Sequence, residues 1–303
     1  MTRSYPVLLF FLAAVWGASY LFIKVAVDEI EPAAMMGLRL VIAASLLVAF
    51  LFVERGVRRS VQELRGASGD GLVLGIVNAA LPFTLIAWGE QHIDSGIAAI
   101  ANATVPLFVV LLAIRFQPSE RVSTARFGGI LLGLAGVAVL AGANPDGGWW
   151  AAAGTLAVVA SSLCYASGSL LGQRRVAETP GPVLATASMI GGALVLVPFA
   201  LLQLPGELPG WKALGSVVAL AVLGTTLAQL VLFRMLRLHG SARTSLVTYL
   251  LPPTALLYGA LLLDEPLTGA VLAGLGLILA GVAVGSGTLR LQRPRPEPAP
   301  RRT

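Results

Sequence analysis

The sequence predicts an all-α polytopic membrane protein, with ten transmembrane helices arranged as two five-helix repeats of opposite orientation. Three observations lead there. Of 303 residues, 56% are apolar and only 12% are charged, whereas an ordinary soluble domain carries about 25% charged residues. The apolar residues gather into successive stretches of about 20, the length at which a helix rising about 1.5 Å per residue crosses a hydrocarbon core of about 30 Å. The hexapeptide LAGVAV occurs at 134–139 and again at 279–284, inside an ungapped match in which Glu120–Val139 and Glu265–Val284 agree at ten of twenty positions.

The spans follow one another with short connections. The first, 6–27, is too long and too closely followed by others to be a cleaved leader, and it carries Trp16, Ser19 and Tyr20 near mid-depth. The second, 32–53, holds Arg39, a lone deep arginine, and the third, 71–91, holds Asn78. The fourth, 94–116, brings Asn102, Thr104 and Pro106. The fifth, 124–143, is a strip of small residues with Gly129, Gly133 and Gly136 spaced for close helix contact. The sixth, 149–172, opens on Trp149 and Trp150 and carries Ser161, Ser162 and Tyr165 at mid-depth, together with the single cysteine, Cys164. One cysteine allows neither an internal disulfide nor a cysteine-based metal site. The seventh, 181–204, is almost wholly apolar; the eighth, 211–233, has Thr225, Thr226 and Gln229; the ninth, 241–263, has Thr248, Tyr249, Pro252 and Pro253. The tenth, 266–286, repeats the small-residue strip of the fifth through Gly274 and Gly281.

Charge orients the array. The net charge is +6, and eighteen arginines fall on one face: 3, 55, 58, 59, 65, 115, 121, 126, 174, 175, 234, 237, 243, 290, 293, 295, 301 and 302. The other face has Lys24 and Lys212 among acids such as Asp28, Glu29, Asp94, Asp264 and Glu265. The positive-inside rule then puts both termini in the cytoplasm. Five spans per half make the second half enter from the opposite side, and Glu120 and Glu265 accordingly fall on opposite faces. The predicted units are 1–145, 146–287 and a Pro-rich disordered tail, 288–303. A basic surplus confined to short membrane-surface loops is a poor nucleic-acid site, so no nucleic-acid partner is expected. Inverted repeats of this kind are characteristic of secondary transporters with a site near the bilayer midplane.

Residues along the whole chain carry a family resemblance: WGASYLFIK in the first span, PAAMMGLRLV in the second, NATVPLFVVLL followed by SER in the fourth, and LPPTALLYGALLLDEPLT before GLILAGVAV in the ninth and tenth. In this order they resemble the EamA family of the drug/metabolite transporter superfamily. The resemblance implies a ten-helix carrier of the bacterial inner membrane, exporting amino acids or related small metabolites. Membrane lipid and a small-molecule substrate are the expected partners, and no cofactor is expected. Nucleotide-sugar and other metabolite or drug carriers of the same superfamily are the alternative.

Polar side chains are costly in a bilayer core unless they face the bundle interior. That places Trp16, Ser19, Tyr20, Asn78, Asn102, Thr104, Tyr165, Gln229 and Tyr249 as candidate substrate contacts. The amides of Asn78, Asn102 and Gln229 have more hydrogen-bonding capacity than one helix can use, and either a ligand or an interhelical bond would satisfy it. Pro106, Pro252 and Pro253 withhold amide hydrogens and free carbonyls four residues back, near Asn102 and Thr248, which either shapes packing or serves the site. Arg39 lies about 10 Å below its helix end and is expected to pair with helix-end carbonyls or with Glu90, in a structural role. Membrane catalysis would need a nucleophile with a base, or metal ligands, but His92 and His239 sit near opposite faces; neither an enzyme nor a metal site is expected. No span carries Asp, Glu or His at its centre, which predicts facilitated rather than proton-coupled movement. Proton coupling is the alternative.

Overall fold

The computed structural model describes residues 4–116, 124–142, 148–175 and 179–285. Every regular element among them is helical: α1 Ser4–Val27, α2 Pro32–Arg55, α3 Val57–Gly66, α4 Ser68–Glu90, α5 Ser95–Asn102, α6 Val105–Phe116, α7 Thr124–Ala141, α8 Gly148–Arg175, α9 Gly181–Leu202, α10 Trp211–His239, α11 Ser241–Thr244, α12 Val247–Leu262 and α13 Gly269–Gly285. Among the described residues, seven helices are long and apolar enough to cross a membrane: α1, α2, α4, α8, α9, α10 and the pair α5–α6 read through as Ser95–Ala113. The apolar stretches Phe127–Ala141, Val247–Leu262 and Gly269–Gly285 are shorter. The last two have 16 and 17 residues, a rise of about 25 Å against a core of about 30 Å. Their ends are trimmed by nonhelical turns at Ser245–Leu246 and Leu263–Thr268. Glu120 and the predicted tail lie outside the described residues.

Three features depart from the expected spans. A short amphipathic helix, α3, fills the polar stretch between the second and third. It is held where Ser60 Oγ lies 2.9 Å from the carbonyls of Leu51 and Gly56, and where Glu63 pairs with Arg59 and Arg55 at 2.9 and 3.1 Å. The bond from Arg59, before all else, holds the Glu63 carboxyl below its usual range. The second departure is in α4 and α10, which each contain a π-helical segment, Ile76–Ala80 and Leu220–Leu227. In the latter, the hydroxyls of Thr225 and Thr226 donate to the carbonyls five residues back. Third, the fourth span is broken at Ala103–Thr104, just before Pro106, whereas α12 continues through Pro252 and Pro253. Trp149, Trp150 and Trp211 are exposed, as interfacial anchors are.

Packing places the core between the two halves of the chain. α1 lies against α12 and α10, α8 against α4, α5 and α6, and α9 against both α2 and α4. The two LAGVAV helices, α7 and α13, pack on one another along their length. Their glycines let backbone meet backbone: a Cβ on Gly281 would lie 2.6 Å from the Gly133 amide nitrogen and 2.7 Å from the Gly129 carbonyl oxygen. The repeat is therefore a contact strip used by both helices of one interface. Gly276, on the same helix, faces open space. Gly281→Ala should destabilise the protein by about 1–3 kcal/mol through overpacking, with Gly276→Ala neutral or slightly stabilising, in thermal melts of the detergent-solubilised protein. Equal melting temperatures for the two variants would contradict this packing.

Candidate functional site

Between the halves lies a cavity of about 880 Å³. Its walls reach Gly172, Gly181 and Leu236, at the ends of α8, α9 and α10 that adjoin the Arg174, Arg175 and Arg237 positions, and stop on the other side at Ile23 and Ile86. It therefore extends toward the arginine-rich end and is closed toward the acidic end. A second hollow of about 800 Å³ lies outside the bundle, among Glu29, Glu31 and the loop from Leu202 to Pro209. Its walls are largely exposed loop.

Most of the candidate residues line the cavity. Trp16, Ser19, Tyr20, Asn78, Asn102, Tyr165, Gln229, Arg39 and Pro106 do so, whereas Thr104, Tyr249, Pro252 and Pro253 do not. Thr104 is buried and its hydroxyl donates to the Ala101 carbonyl at 2.7 Å, closing the break in the fourth span. Tyr249 packs against the apolar core. Apolar or small residues missed by the sequence reading also line the cavity, notably Phe83, Gly168, Ser169, Ser188 and Phe233. Gly168 has a discernible reason: a Cβ there would overlap the Asn78 amide, so the glycine makes room for that side chain.

Two polar assemblies occupy the walls. In the first, Asn102 Nδ2 donates to the Tyr20 hydroxyl at 2.7 Å, and Asn102 Oδ1 accepts from Ser162 Oγ at 3.1 Å, with Ser161 Oγ at 3.4 Å. Ser162 Oγ also lies 3.3 Å from the Asn102 carbonyl, the one Pro106 leaves without its helical donor. A neighbouring helix thus brings a hydroxyl within reach of both Asn102 acceptors, its single hydrogen serving one of them at a time. In the second, Arg39 is buried, its Nε donates to Thr225 Oγ1 at 2.9 Å, and its guanidinium carbon sits 3.9 Å over the Phe83 ring. Its Nη1 makes only a long contact, 3.7 Å, to Met36 sulfur. The expected partners of Arg39, helix-end carbonyls or Glu90, are not those observed. The π segment of α10 presents Thr225 to it, which sequence periodicity could not show.

The closed end is built from charges answered by helix termini. Lys24 Nζ donates to the carbonyls of Glu90 and Ile93 at 2.7 and 2.9 Å, at the C-terminal end of α4. Glu265 accepts from the amides of Ser95 and Gly96 at 2.7 and 3.0 Å, at the N-terminus of α5. Both follow the helix dipole. Glu90 is fully buried and neither carboxylate oxygen has a hydrogen-bond partner. Trp88, His92 and Trp150 stack beside this end, with ring centroids 4.7 to 6.5 Å apart. Burial first, and then the Glu265 carboxylate, pushes the Asp94 carboxyl above its ordinary value, against the pull of Lys24.

Comparison with known proteins gives one consistent result. The model of the EamA-like transporter family matches residues 4–142 and again 152–286. An inner membrane transporter of Escherichia coli (strain K12), YedA, described as uncharacterized, is 30% identical over 91% of this chain and 88% of its own length. An uncharacterized transporter of Archaeoglobus fulgidus is 28% identical, over 89% of this chain and 94% of its own. A probable amino-acid metabolite efflux pump of Salmonella typhimurium is 26% identical over 97% and 98%. A crystal structure of a protein chain 22% identical in sequence superposes with a TM-score of 0.64, covering 94% of this chain and 96% of that one, and so shares the fold.

Two measurements probe the closed end. Glu265→Ala strips two buried amides of their acceptor and should cost about 1–2 kcal/mol in thermal or denaturant unfolding; an unchanged melt would contradict the cap. Because the folded state raises the Asp94 pKa, it binds the proton more tightly than the unfolded chain, so stability should fall as pH rises from the ordinary carboxylate range through the raised folded value. Asp94→Asn should flatten that part of the profile. A slope unchanged in the variant would show that Asp94 is not its source.

Proposed function

The chain belongs to the EamA-like transporter family, and on that footing we propose that it exports small metabolites, foremost neutral or aromatic amino acids, across a bacterial inner membrane. The observation that carries this reading is the cavity: enclosed by both halves of the chain, lined by aromatic rings and a few polar groups at mid-depth, and extending to one end of the bundle only. Small-molecule sites have this composition, and a cavity with one closed end suits alternating access. The relatives, among them an inner membrane transporter and a probable amino-acid metabolite efflux pump, support the location and the substrate class.

The bundle is proposed to be ten spans in two inverted halves, 1–145 and 146–287, with the three shorter apolar helices crossing as well and both termini cytoplasmic. Two separate matches of one family model, one per half, support this. So do the helix contacts, which pair off under exchange of the halves. α1 with α12 answers α8 with α5 and α6; α4 with α9 answers α10 with α2; α1 with α10 answers α8 with α4; and α2 with α9, α5 with α12 and α7 with α13 map onto themselves. The π segments also fall in corresponding helices, α4 and α10.

Trp16, Ser19, Tyr20, Asn78, Asn102, Tyr165 and Gln229 are proposed to contact substrate, and Pro106 to shape the wall. Thr104, Tyr249, Pro252 and Pro253 act at a distance through packing. Movement is proposed to be downhill, because the described cavity lining contains no Asp, Glu or His. Purified protein in liposomes should exchange neutral or aromatic amino acids faster than empty liposomes, and no exchange across a panel of amino acids would contradict the substrate class. Under an imposed pH gradient the solute should reach equilibrium and go no further. Accumulation that collapses with a protonophore would establish proton coupling instead.

A further inference from the structure

Among the described residues, the cavity lining holds one formal charge, Arg39. No Asp or Glu lines the cavity, and no carboxylate lies within ion-pair distance of Arg39 among the described residues. The guanidinium is nonetheless held firmly. Thr225 takes the Nε hydrogen, and the Phe83 ring lies against the planar face. That arrangement uses the inner edge and the face of the group and leaves the Nη edge with nothing stronger than a sulfur contact.

The surrounding groups are also donors. The Tyr20 hydroxyl accepts its bond from Asn102, so its own hydrogen remains to be given. Tyr165 lines the same cavity within electrostatic range of Arg39. The Asn102 amide oxygen is already taken by the Ser162 hydroxyl, and the other amides of the lining, Asn78 and Gln229, can donate as well as accept. A buried cation without a counterion is costly, and a fixed guanidinium edge flanked by hydroxyl donors matches the two oxygens of a carboxylate.

We propose that Arg39 is the recognition group for the substrate's carboxylate, with Thr225 and Phe83 as positioning residues that present its free edge to the cavity. This rests on the reading of the chain as a small-metabolite transporter and narrows it: solutes carrying a carboxylate, zwitterionic or anionic, are accepted, and cationic solutes lacking one are refused. The apolar part of the solute lies among Trp16, Phe83 and Tyr165.

Three matched probes test this on the full-length protein in detergent, with binding read by calorimetry: phenylalanine, phenylalaninamide, which lacks the carboxylate, and 3-phenylpropanoate, which lacks the ammonium group. Phenylalanine and 3-phenylpropanoate should bind, with phenylalaninamide weaker by about tenfold or more, the usual size of a lost charge-assisted bond. Arg39→Gln should bring the first two down to the level of the amide. Thr225→Val should narrow the gap in part. Equal binding of phenylalanine and its amide by the unaltered protein would overturn the proposal while leaving amino-acid transport standing. Binding of 3-phenylpropanoate alone would uphold the Arg39 site and overturn the amino-acid reading. Binding of none would overturn both. The comparison on unaltered protein decides the matter even if Arg39→Gln fails to fold.

Discussion

A backbone amide or carbonyl facing hydrocarbon has no water to turn to, and each one left unpaired costs several kcal/mol. Regular helix satisfies this constraint throughout most of the chain, so the places where helix geometry lapses carry information. Among the described residues there are three in the interior of the bundle: the π segments at Ile76–Ala80 and Leu220–Leu227, and the break at Ala103–Thr104. All three border the same cavity, through Asn78, through Gly224 and Thr225, and through Asn102 and Ala103. Irregular backbone is tolerated only where protein encloses it or where it lines a cavity. Here it aims side chains that a regular helix would turn elsewhere, and freed carbonyls find donors in Thr225, Thr226 and Thr104, with Ser162 in reach of the Asn102 carbonyl.

Charge obeys the same economy. The ion pairs among the described residues all involve Glu54, Arg55, Arg59 and Glu63, at the membrane-surface helix α3 and the end of α2. Inside the bundle, Lys24 is met by carbonyls at a helix C-terminus and Glu265 by amides at a helix N-terminus, so the acidic end is closed by helix dipoles rather than by pairs of opposite side chains. Such contacts join α1 to the end of α4, and the turn that follows α12 to the start of α5. In this conformation the seal is therefore built from side-chain hydrogen bonds to helix termini. The α7–α13 interface is closed differently, by backbone contact through Gly129, Gly133 and Gly281.

Much of this was legible in the sequence because hydrocarbon imposes a length. Counting residues between polar ends was enough to find the apolar helical stretches and to single out Tyr20, Asn78, Asn102, Tyr165 and Gln229, which line the cavity. Counting gives depth and leaves the direction around the helix open. Thr104 and Tyr249 have the right height but face the backbone break and the apolar core, whereas Phe83, Ser169 and Phe233 point inward without any polar excess to reveal them. The π segments were not legible at all, since a one-residue change of register, from i→i+4 to i→i+5 bonding, leaves no periodic trace in a run as apolar as LAVLGTTL. Arg39 shows the consequence. Its depth was apparent, but its partner depends on where one such segment places Thr225.

The central claim is that one cavity, closed at the acidic end in this conformation, serves both faces in turn. Ser169 lines it on the arginine-rich side, and Cys164 is the only native thiol. With Ser169→Cys placed in a Cys164→Ala background, a membrane-impermeant thiol reagent can be offered to each face of oriented proteoliposomes separately. The account predicts rapid labelling from the arginine-rich face and protection from the other, with the balance shifting when transported solute is supplied on the acidic side. Labelling from both faces at equal rates, independent of solute, would describe an open pore and contradict it.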